Sequence, residues 1–290
     1  MVTPAAVEDS LPGEEEVAQV VRSLKRIRSG GPLGMREEDL KRWLREPSME
    51  TDSVKYWWRL LVRLIQTTLK DGAVPEEVVW AKMVFLPKGR GEYWGVGLVN
   101  VVWKVCAAVV NCRLKRIVTL HIALHGFRAG RGQGKETLEE NLAQQLAGLA
   151  NEQLFQVLLD MRKAYDSLDR GRCIEILRGY GMGKRMARLI AHHWGNLMFF
   201  PKVKRFLGTP FGTVIGVTQG EPASPMIFNI VIDAVARATL EVVCSPQEAL
   251  HGMGWAAGER NLIFYADDKR IGGRDHIWVQ DALTVSVAMF

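Results

Sequence analysis

The spacing of apolar residues changes along the chain, and each spacing predicts a different kind of element. Between Glu14 and Arg28, apolar residues recur every three or four positions, which predicts an amphipathic helix that stops at the following Gly-Gly-Pro run. The same periodicity predicts further helices over residues 52–70, 98–118 and 137–150. A short run at 82–87 instead predicts a strand, followed by a turn at Lys88-Gly-Arg-Gly.

From residue 153 the pattern becomes one of short strands and helices. Leu154 to Asp160 is an apolar run that ends in a carboxylate, and its length predicts a buried strand. Helices are predicted over 170–180 and from Ser224 onward, where serine followed by proline is a favourable helix start. Residues 261–273 then predict two strands around a tight turn. The order strand, helix, helix, hairpin indicates an α+β domain.

Composition narrows the class of protein. The chain has 290 residues, of which 48% are hydrophobic and 24% charged, so it can bury a substantial core. No apolar run reaches the roughly 20 residues of a membrane helix, and the N-terminus lacks the pattern of a secretion signal. We therefore expect an intracellular protein without a membrane partner, in a compartment that the sequence leaves open. The four cysteines form no CxxC pair and are expected to be reduced.

Positive charge is concentrated in one stretch. The net charge is +6, but residues 155–210 alone carry eleven basic against four acidic side chains. Such a concentration is typical of a surface that contacts nucleic-acid phosphates. A solvated helix face is the alternative interpretation, and charge alone does not separate the two.

Three carboxylates carry the candidate chemistry. Asp267 and Asp268 are adjacent in the predicted hairpin turn, and Asp160 ends the predicted strand. Adjacent carboxylates repel each other unless a cation lies between them. Carboxylate oxygens are ligands that Mg²⁺ accepts, and two such ions about 3.5–4 Å apart are the usual device for phosphoryl transfer. A plain Asp-Asp turn is the alternative for the hairpin taken by itself.

Several segments resemble reverse transcriptases of the non-LTR retrotransposon and group II intron type. The three palm signatures of that family are similar, in order, to LLDMRKAYDSLDR, VTQGEPASPMIFN and FYADDK. Upstream, the segments similar to the family's fingers are SGGPLGMREEDLKRWL, WAKMVFLPKGRGEYW, GLVNVVWKV and HGFRAGRG. The resemblance implies a right-hand polymerase fold, with fingers in residues 1–150 and a palm in 151–290. In that palm, a small antiparallel sheet would be flanked by helices.

The resemblance also assigns roles to residues of the palm. Asp160, Asp267 and Asp268 match the family's catalytic metal ligands, and the Met161 carbonyl matches a further oxygen ligand. Two Mg²⁺ ions are implied, with Mn²⁺ as a possible substitute. Tyr165 matches the ring that excludes a 2′-hydroxyl from the nucleotide site, and a core aromatic is the alternative.

Other matching residues would contact the substrates, which are implied to be an RNA template, a DNA primer and a dNTP. Gln219 and Gly220 match the loop that lies against the nucleotide. Lys88 matches the fingertip lysine that binds the triphosphate, with a solvated turn lysine as the alternative. Arg128 and Arg131 are candidates for template phosphate contacts, with a purely structural role equally open. No protein partner is predicted.

Two departures from the family keep a second hypothesis open. Trp94 stands where the family has a triphosphate-binding arginine, and the sequence ends at Phe290, before the position where a thumb would follow. We therefore expect the thumb to be absent from this sequence. An inactive retroelement remnant that at most binds nucleic acid is the alternative to an active enzyme. A viral-type RNA polymerase is disfavoured, because an aromatic ring at Tyr165 would exclude the 2′-hydroxyl of a ribonucleotide.

Overall fold

The computed structural model describes residues 9–25, 31, 34–45, 52–128, 130–131, 133–244, 260–265 and 268–288. The chain forms two compact units, and each is assembled from two separate stretches. Unit 1 comprises residues 1–118 and 165–224, and unit 2 comprises residues 119–164 and 225–290. The division into fingers and palm at residue 150 stays a prediction. None of the helices described is long and apolar enough to cross a membrane.

Unit 1 contains seven described helices and five strands. The helices are α1 (Glu14–Ser23), α2 (Glu37–Arg45), α3 (Asp52–Asp71), α4 (Glu76–Val79), α5 (Val101–Ile117), α8 (Arg170–Gly179) and α9 (Lys184–Asn196). A single turn, α7 (Ala164–Ser167), begins at the boundary with unit 2. The strands are β1 (Trp80–Gly89), β2 (Glu92–Val99), β4 (Met198–Val203), β5 (Phe206–Leu207) and β6 (Phe211–Gly212).

These five strands form one mixed sheet with the order β2-β1-β4-β5, and β6 also pairs with β4. β1 and β2 form an antiparallel hairpin, whereas β1 and β4 run parallel, with Trp80 beside Met198. The sheet therefore pairs strands that are far apart in sequence. The hairpin agrees with the predicted strand and turn, but β4 was not predicted.

Helix α5 lies at the centre of unit 1. Its apolar residues leave no polar face, and most of its side chains are buried. Lys104 and Arg113 are its buried charged residues, and the Lys104 ammonium lies 2.6 Å from a carboxylate oxygen of the equally buried Glu37. The Trp103 ring stacks on His193 of α9, with 3.6 Å between ring centroids. α5 thus ties helices of both stretches of unit 1 together.

Within its described residues, unit 2 holds a smaller sheet and three helices. The helices are α6 (Gln133–Leu149), α10 (Ser224–Val243), which begins at the boundary with unit 1, and α11 (His276–Ala288). The strands are β3 (Phe155–Asp160), β7 (Arg260–Tyr265) and β8 (Asp268–Gly273), in the antiparallel order β3-β8-β7. Together, the two units confirm the α+β class, with helices around small sheets.

The strand at the centre of this sheet is the second of the predicted hairpin. Val157 on β3 and Leu262 on β7 both lie opposite Ile271 of β8. Leu262, Phe264 and Ile271 are almost fully buried. This apolar contact holds the two hairpin strands against β3, as the apolar run before Asp160 predicted.

Two helix boundaries differ from the predictions. The helix predicted to start at residue 98 begins at Val101, because residues 98 and 99 belong to β2 and Asn100 caps the helix through its side chain. The helix predicted from residue 137 begins at Gln133, so Thr137 lies inside it and is not its cap. By contrast, α8 ends at a left-handed Gly181, as its sequence predicted.

Candidate active site

Two of the predicted metal ligands lie opposite each other on neighbouring strands. Asp160, the last residue of β3, pairs with Asp268, the first residue of β8. Directly opposite residues of an antiparallel pair point to the same face, with Cβ atoms about 4.5–5.5 Å apart. Both residues are exposed. The structure thus places two carboxylates side by side at one end of the small sheet.

This arrangement is costly without a cation, because like charges opposite each other destabilise a strand pair. Carboxylate oxygens at this separation are a donor set that fits Mg²⁺, which takes oxygen ligands and keeps several waters. Met161 directly follows β3 and is half-buried, so its carbonyl oxygen is a neighbour of the pair in the chain. The third predicted ligand, Asp267, lies outside the described residues.

The next residue of β8 faces the opposite side of the sheet. Lys269 is 4% exposed, and burial lowers the pKa of its ammonium to about 7. Strand alternation explains why Asp268 is exposed while Lys269 is buried. The sequence offered no signal for this buried lysine, because a charged residue beside two aspartates is ordinarily taken as solvated.

The loop with the two arginines is anchored within unit 2. The backbone of His125 donates to the Phe264 carbonyl at 2.8 Å, and Phe264 donates back to the Ala123 carbonyl at 2.9 Å. The Asn229 amide of α10 donates to the Gly126 carbonyl at 2.8 Å. Residues 123–126, which precede Arg128, are therefore fixed against the edge of β7.

The arginines themselves bind this loop. Arg128 donates to the carbonyls of His121 and Leu124 at 2.7 and 2.8 Å, and Arg131 donates to the Ile122 carbonyl. These contacts support a structural role. Because a guanidinium has five N–H donors, the remaining ones are still suited to a phosphate.

In unit 1, the loop that carries Gln219 and Gly220 is held on two sides. Toward α7, Val217 donates to the Tyr165 carbonyl and Gly216 to the Leu168 carbonyl, both at 2.8 Å. Toward the sheet, the Gly97 backbone of β2 donates to the Gln219 carbonyl at 2.9 Å. The structure therefore brings the candidate gate Tyr165 and the candidate nucleotide loop together.

Gly220 fits this site for a steric reason. Its φ of +103° lies in the left-handed region, and a Cβ built on it would lie 2.6 Å from the Gly97 carbonyl oxygen. The position is therefore closed to any residue with a side chain, which explains the glycine of the QGEPASP segment.

Arg170 anchors the start of the same loop. Its guanidinium donates to the carbonyls of Gly216 and Trp194 at 2.8 and 2.6 Å, and also contacts Thr213. In the sequence this residue belongs to the basic stretch 155–210, for which phosphate contact and a solvated helix face were both open. In the fold Arg170 instead binds the loop of residues 213–216 and the end of α9.

Glu221 is a buried carboxyl that the sequence did not single out. It is 2% exposed, next to Gly220, and burial raises the pKa of its side chain to about 8. The Trp103 indole of α5 and the Arg170 guanidinium of α8 oppose this shift in the pKa. At neutral pH the carboxyl is therefore largely protonated.

A pH dependence of stability follows from this carboxyl. Its pKa is 4.5 ordinarily and about 8 in the folded chain, so its contribution to stability is complete below pH 4.5 and is lost as pH rises through 8. We expect the free energy of unfolding of the wild type to fall, on the order of a few kcal/mol, as pH rises across this range. Glu221→Gln should not show this fall, because glutamine does not ionise. Denaturant titrations at several pH values would measure it, with the exposed Glu175→Gln as control. Parallel pH curves for wild type and Glu221→Gln would contradict the assignment.

Lys88 lies at the end of β1 beside the β1–β2 turn. Its ammonium is 3.9 Å from Glu92 and 5.8 Å from the centre of the Trp94 ring, and its side chain is half exposed. The lysine is thus accessible and only loosely paired. Trp94 lies opposite Leu86 and is 51% exposed.

Comparisons with known proteins show the family of this chain. Residues 86–285 match the family "Reverse transcriptase (RNA-dependent DNA polymerase)". The chain is 23% identical over 183 residues to the Pol polyprotein of the retrotransposable element R2DM of Drosophila melanogaster, covering 61% of this chain and 17% of that protein. It is 24% identical over 179 residues to the R2 Pol polyprotein of Nasonia vitripennis, covering 60% and 18%. The chain thus spans less than a fifth of these relatives.

The solved structures show the fold independently of sequence. Telomerase from Candida tropicalis in complex with a fragment of telomeric RNA has a TM-score of 0.53 at 13% identity, over 80% of this chain and 41% of that one. The apo form of that telomerase, truncated from its C-terminal domain, has a TM-score of 0.50 at 12% identity, over 80% and 51%. These likenesses confirm the polymerase right-hand fold. With the family match over more than half of its length, the chain belongs to the reverse transcriptase family, as its retrotransposon-like motifs predicted.

Proposed function

We propose that this chain is the polymerase module of a non-LTR retroelement, which adds dNTPs to the 3′-hydroxyl of a DNA primer on an RNA template. One observation carries the proposal: Asp160 and Asp268 lie opposite each other on β3 and β8, in a family whose description is RNA-dependent DNA polymerase. The relatives belong to retrotransposable elements, which supports the same class of substrate.

In this proposal, Asp160, Asp268 and Asp267 hold two Mg²⁺ ions, with the Met161 carbonyl as a further ligand and Mn²⁺ as a substitute. The ions would lower the pKa of the primer hydroxyl and neutralise charge on the leaving pyrophosphate. The carboxylates would fix the positions of both ions, and the β3–β8 ladder holds Asp160 and Asp268 in register for that role.

Other residues of the chain are proposed to contact the nucleotide and the template. Gln219 and Gly220 present a loop fixed to both α7 and β2, so its backbone can lie against the nucleotide without a large loss of entropy on binding. Lys88 would bind the triphosphate, and its exposure leaves it free to do so. Arg128 and Arg131 would use their remaining donors on the template phosphates.

Tyr165 is proposed to select the sugar. Its carbonyl accepts from Val217, so the position of the residue is tied to the nucleotide loop. We expect Tyr165→Val to increase ribonucleotide incorporation relative to dNTP by about tenfold or more, since a lost clash of about 1.4 kcal/mol is sufficient. Single-nucleotide primer extension with both sugars measures this, and Tyr165→Phe, which keeps the ring, should keep the selectivity.

The same assay tests the proposed function itself. Extension by the full chain should stop when EDTA removes the metal and return with Mg²⁺ or Mn²⁺. A chain that binds primer–template but never extends it, with either metal, would instead support the inactive remnant. If Tyr165→Val changed the rate but not the choice of sugar, Tyr165 would be a core aromatic.

A further inference from the structure

The two hairpin turns of the unit 1 sheet lie at the same end of that sheet. β1 and β4 are parallel neighbours, so the C-terminal ends of both strands lie at the same end of the sheet. β1 continues there into the turn at Arg90 and Gly91, and β4 into the turn at Lys204 and Arg205. The second turn lies in the basic stretch 155–210, but its residues have no role in the function proposed above.

Large apolar side chains are exposed on one face of this end. Val203 of β4 lies opposite Phe206 of β5. Tyr93 of β2 lies opposite Pro87 of β1, and Pro87 points to the same face as Phe85, two residues earlier. Tyr93, Val203 and Phe206 are 60–65% exposed, and Phe85 is 40% exposed.

The register assigns all four side chains to this face. Val84 of β1 lies beside Lys202 of β4, so the next residues, Phe85 and Val203, point together to the other side of the sheet. At the opposite end of the same face, the ring of Phe199 packs 5.8 Å from that of Phe211 and is buried. The apolar face is therefore covered at one end and exposed at the other.

Basic residues are frequent at this end of the sheet, although Lys202 and Lys88 lie on the other face, with Val84 and Trp94 respectively. Glu92 is the one acid among the tip residues 88–92 and 202–207, where the bases are Lys88, Arg90, Lys202, Lys204 and Arg205. The guanidinium of Arg205 lies 5.2 Å from the centre of the Phe206 ring. Arg90 and Lys204 both have a φ of 53°, which is typical of tight turns. The turn cations Lys204 and Arg205 therefore directly precede the exposed Phe206 ring.

We propose that this tip surface, formed by Phe85, Tyr93, Lys204, Arg205 and Phe206, binds single-stranded nucleic acid. Bases stack on the exposed rings and the turn cations bind the phosphates. A duplex fits less well, because its bases are already stacked and offer no free faces to the rings. The inference rests on the proposed function, since a templated polymerase handles strands that are unpaired ahead of synthesis.

The stacking contribution is tested by Phe206→Ala. Fluorescence anisotropy would follow the binding of labelled, unstructured oligoribonucleotides and oligodeoxynucleotides about 15 nucleotides long, and of a duplex of equal length, to the full chain. We expect the dissociation constant for single strands to rise on the order of tenfold, and that for the duplex to change far less. Tyr56→Ala, which removes a ring of similar exposure on α3, is the matched control and should bind as wild type.

The phosphate contribution is tested by the double variant Lys204→Gln, Arg205→Gln. Each phosphate contact to a single strand contributes about 0.7 to the slope of log K against log salt, so the slope should fall by about 1.4. The control Lys70→Gln, Lys115→Gln removes the same charge from exposed helix positions and should leave the slope unchanged.

If Phe206→Ala bound single strands as tightly as wild type, or lost affinity for duplex and single strand equally, bases would not stack on this surface. An unchanged salt slope in the charge variant would overturn its phosphate contacts. Loss with either the RNA or the DNA strand supports the proposal. These outcomes are independent of the proposed function, because they measure binding. If the chain extended primers normally but passed none of these binding tests, the proposed polymerase function would stand and the proposed single-strand binding surface would be wrong.

Discussion

Asp268→Asn is expected to reduce templated nucleotide addition by about a thousandfold or more, and Asp160→Asn to do the same. A bound metal contributes several kcal/mol to the transition state, and each 1.4 kcal/mol changes the rate about tenfold. Because the two carboxylates lie opposite each other and would hold the same ions, the effects should not add. The double variant should be only slightly slower than either single variant.

Stability should respond in the opposite direction. Each asparagine removes one of two like charges that face each other across β3 and β8, so both variants should unfold at the same temperature as wild type or above it. Primer extension and thermal melting measured on the same preparations would separate the two effects. Asp281→Asn, on the exposed side of α11, is the control and should change neither quantity. Full activity in Asp268→Asn would make the metal assignment untenable.

Gly220→Ala is expected to lower the free energy of unfolding by several kcal/mol, or else to displace the loop. Its φ of +103° is strained for alanine by roughly 1–3 kcal/mol, and the new Cβ would lie 2.6 Å from the Gly97 carbonyl oxygen. That overlap adds about 1–3 kcal/mol, since backbone atoms on both sides cannot rotate away.

Gly89→Ala separates these two contributions. Gly89 has a similar φ of +98°, but a Cβ there would meet nothing within 4 Å. Denaturant titration should therefore show a smaller loss for Gly89→Ala, and the difference between the variants measures the contact with β2. In primer extension, Gly220→Ala should raise the KM for dNTP if the loop moves. Equal losses in both variants would mean that the loop does not pack against Gly97.

The candidate active site could be predicted from sequence where its residues follow strong local patterns. Asp160 ends an apolar run and Asp268 begins a strand, and strand pairing then places them side by side. Gly220 was identified by its resemblance to the family's nucleotide loop, and its left-handed φ shows why a glycine is needed there. These features depend on a few neighbouring residues and so are visible in the sequence.

The features that were missed depend on distant residues. β4 contains Pro201, which weakens the strand pattern, and it pairs with a strand more than a hundred residues earlier. The burial of Glu221 results from packing against Trp103 and Arg170, which no local pattern reveals. The structural role of Arg170 was missed for the same reason, since only the folded chain shows which carbonyls accept from its guanidinium.

The parallel pairing of β1 with β4 has a consequence for synthesis on the ribosome. Trp80 of β1 pairs with Met198 of β4, so β1 is synthesised long before its partner strand. Unit 1 can be completed only after the first stretch of unit 2 has been made. At about 5–20 residues per second, that interval lasts on the order of 6–24 seconds. During it the nascent β1–β2 hairpin carries an unpaired edge, which is a template for pairing with other chains. Slow translation between these strands should therefore increase aggregation, and chaperones that shield strand edges should improve the yield of this protein.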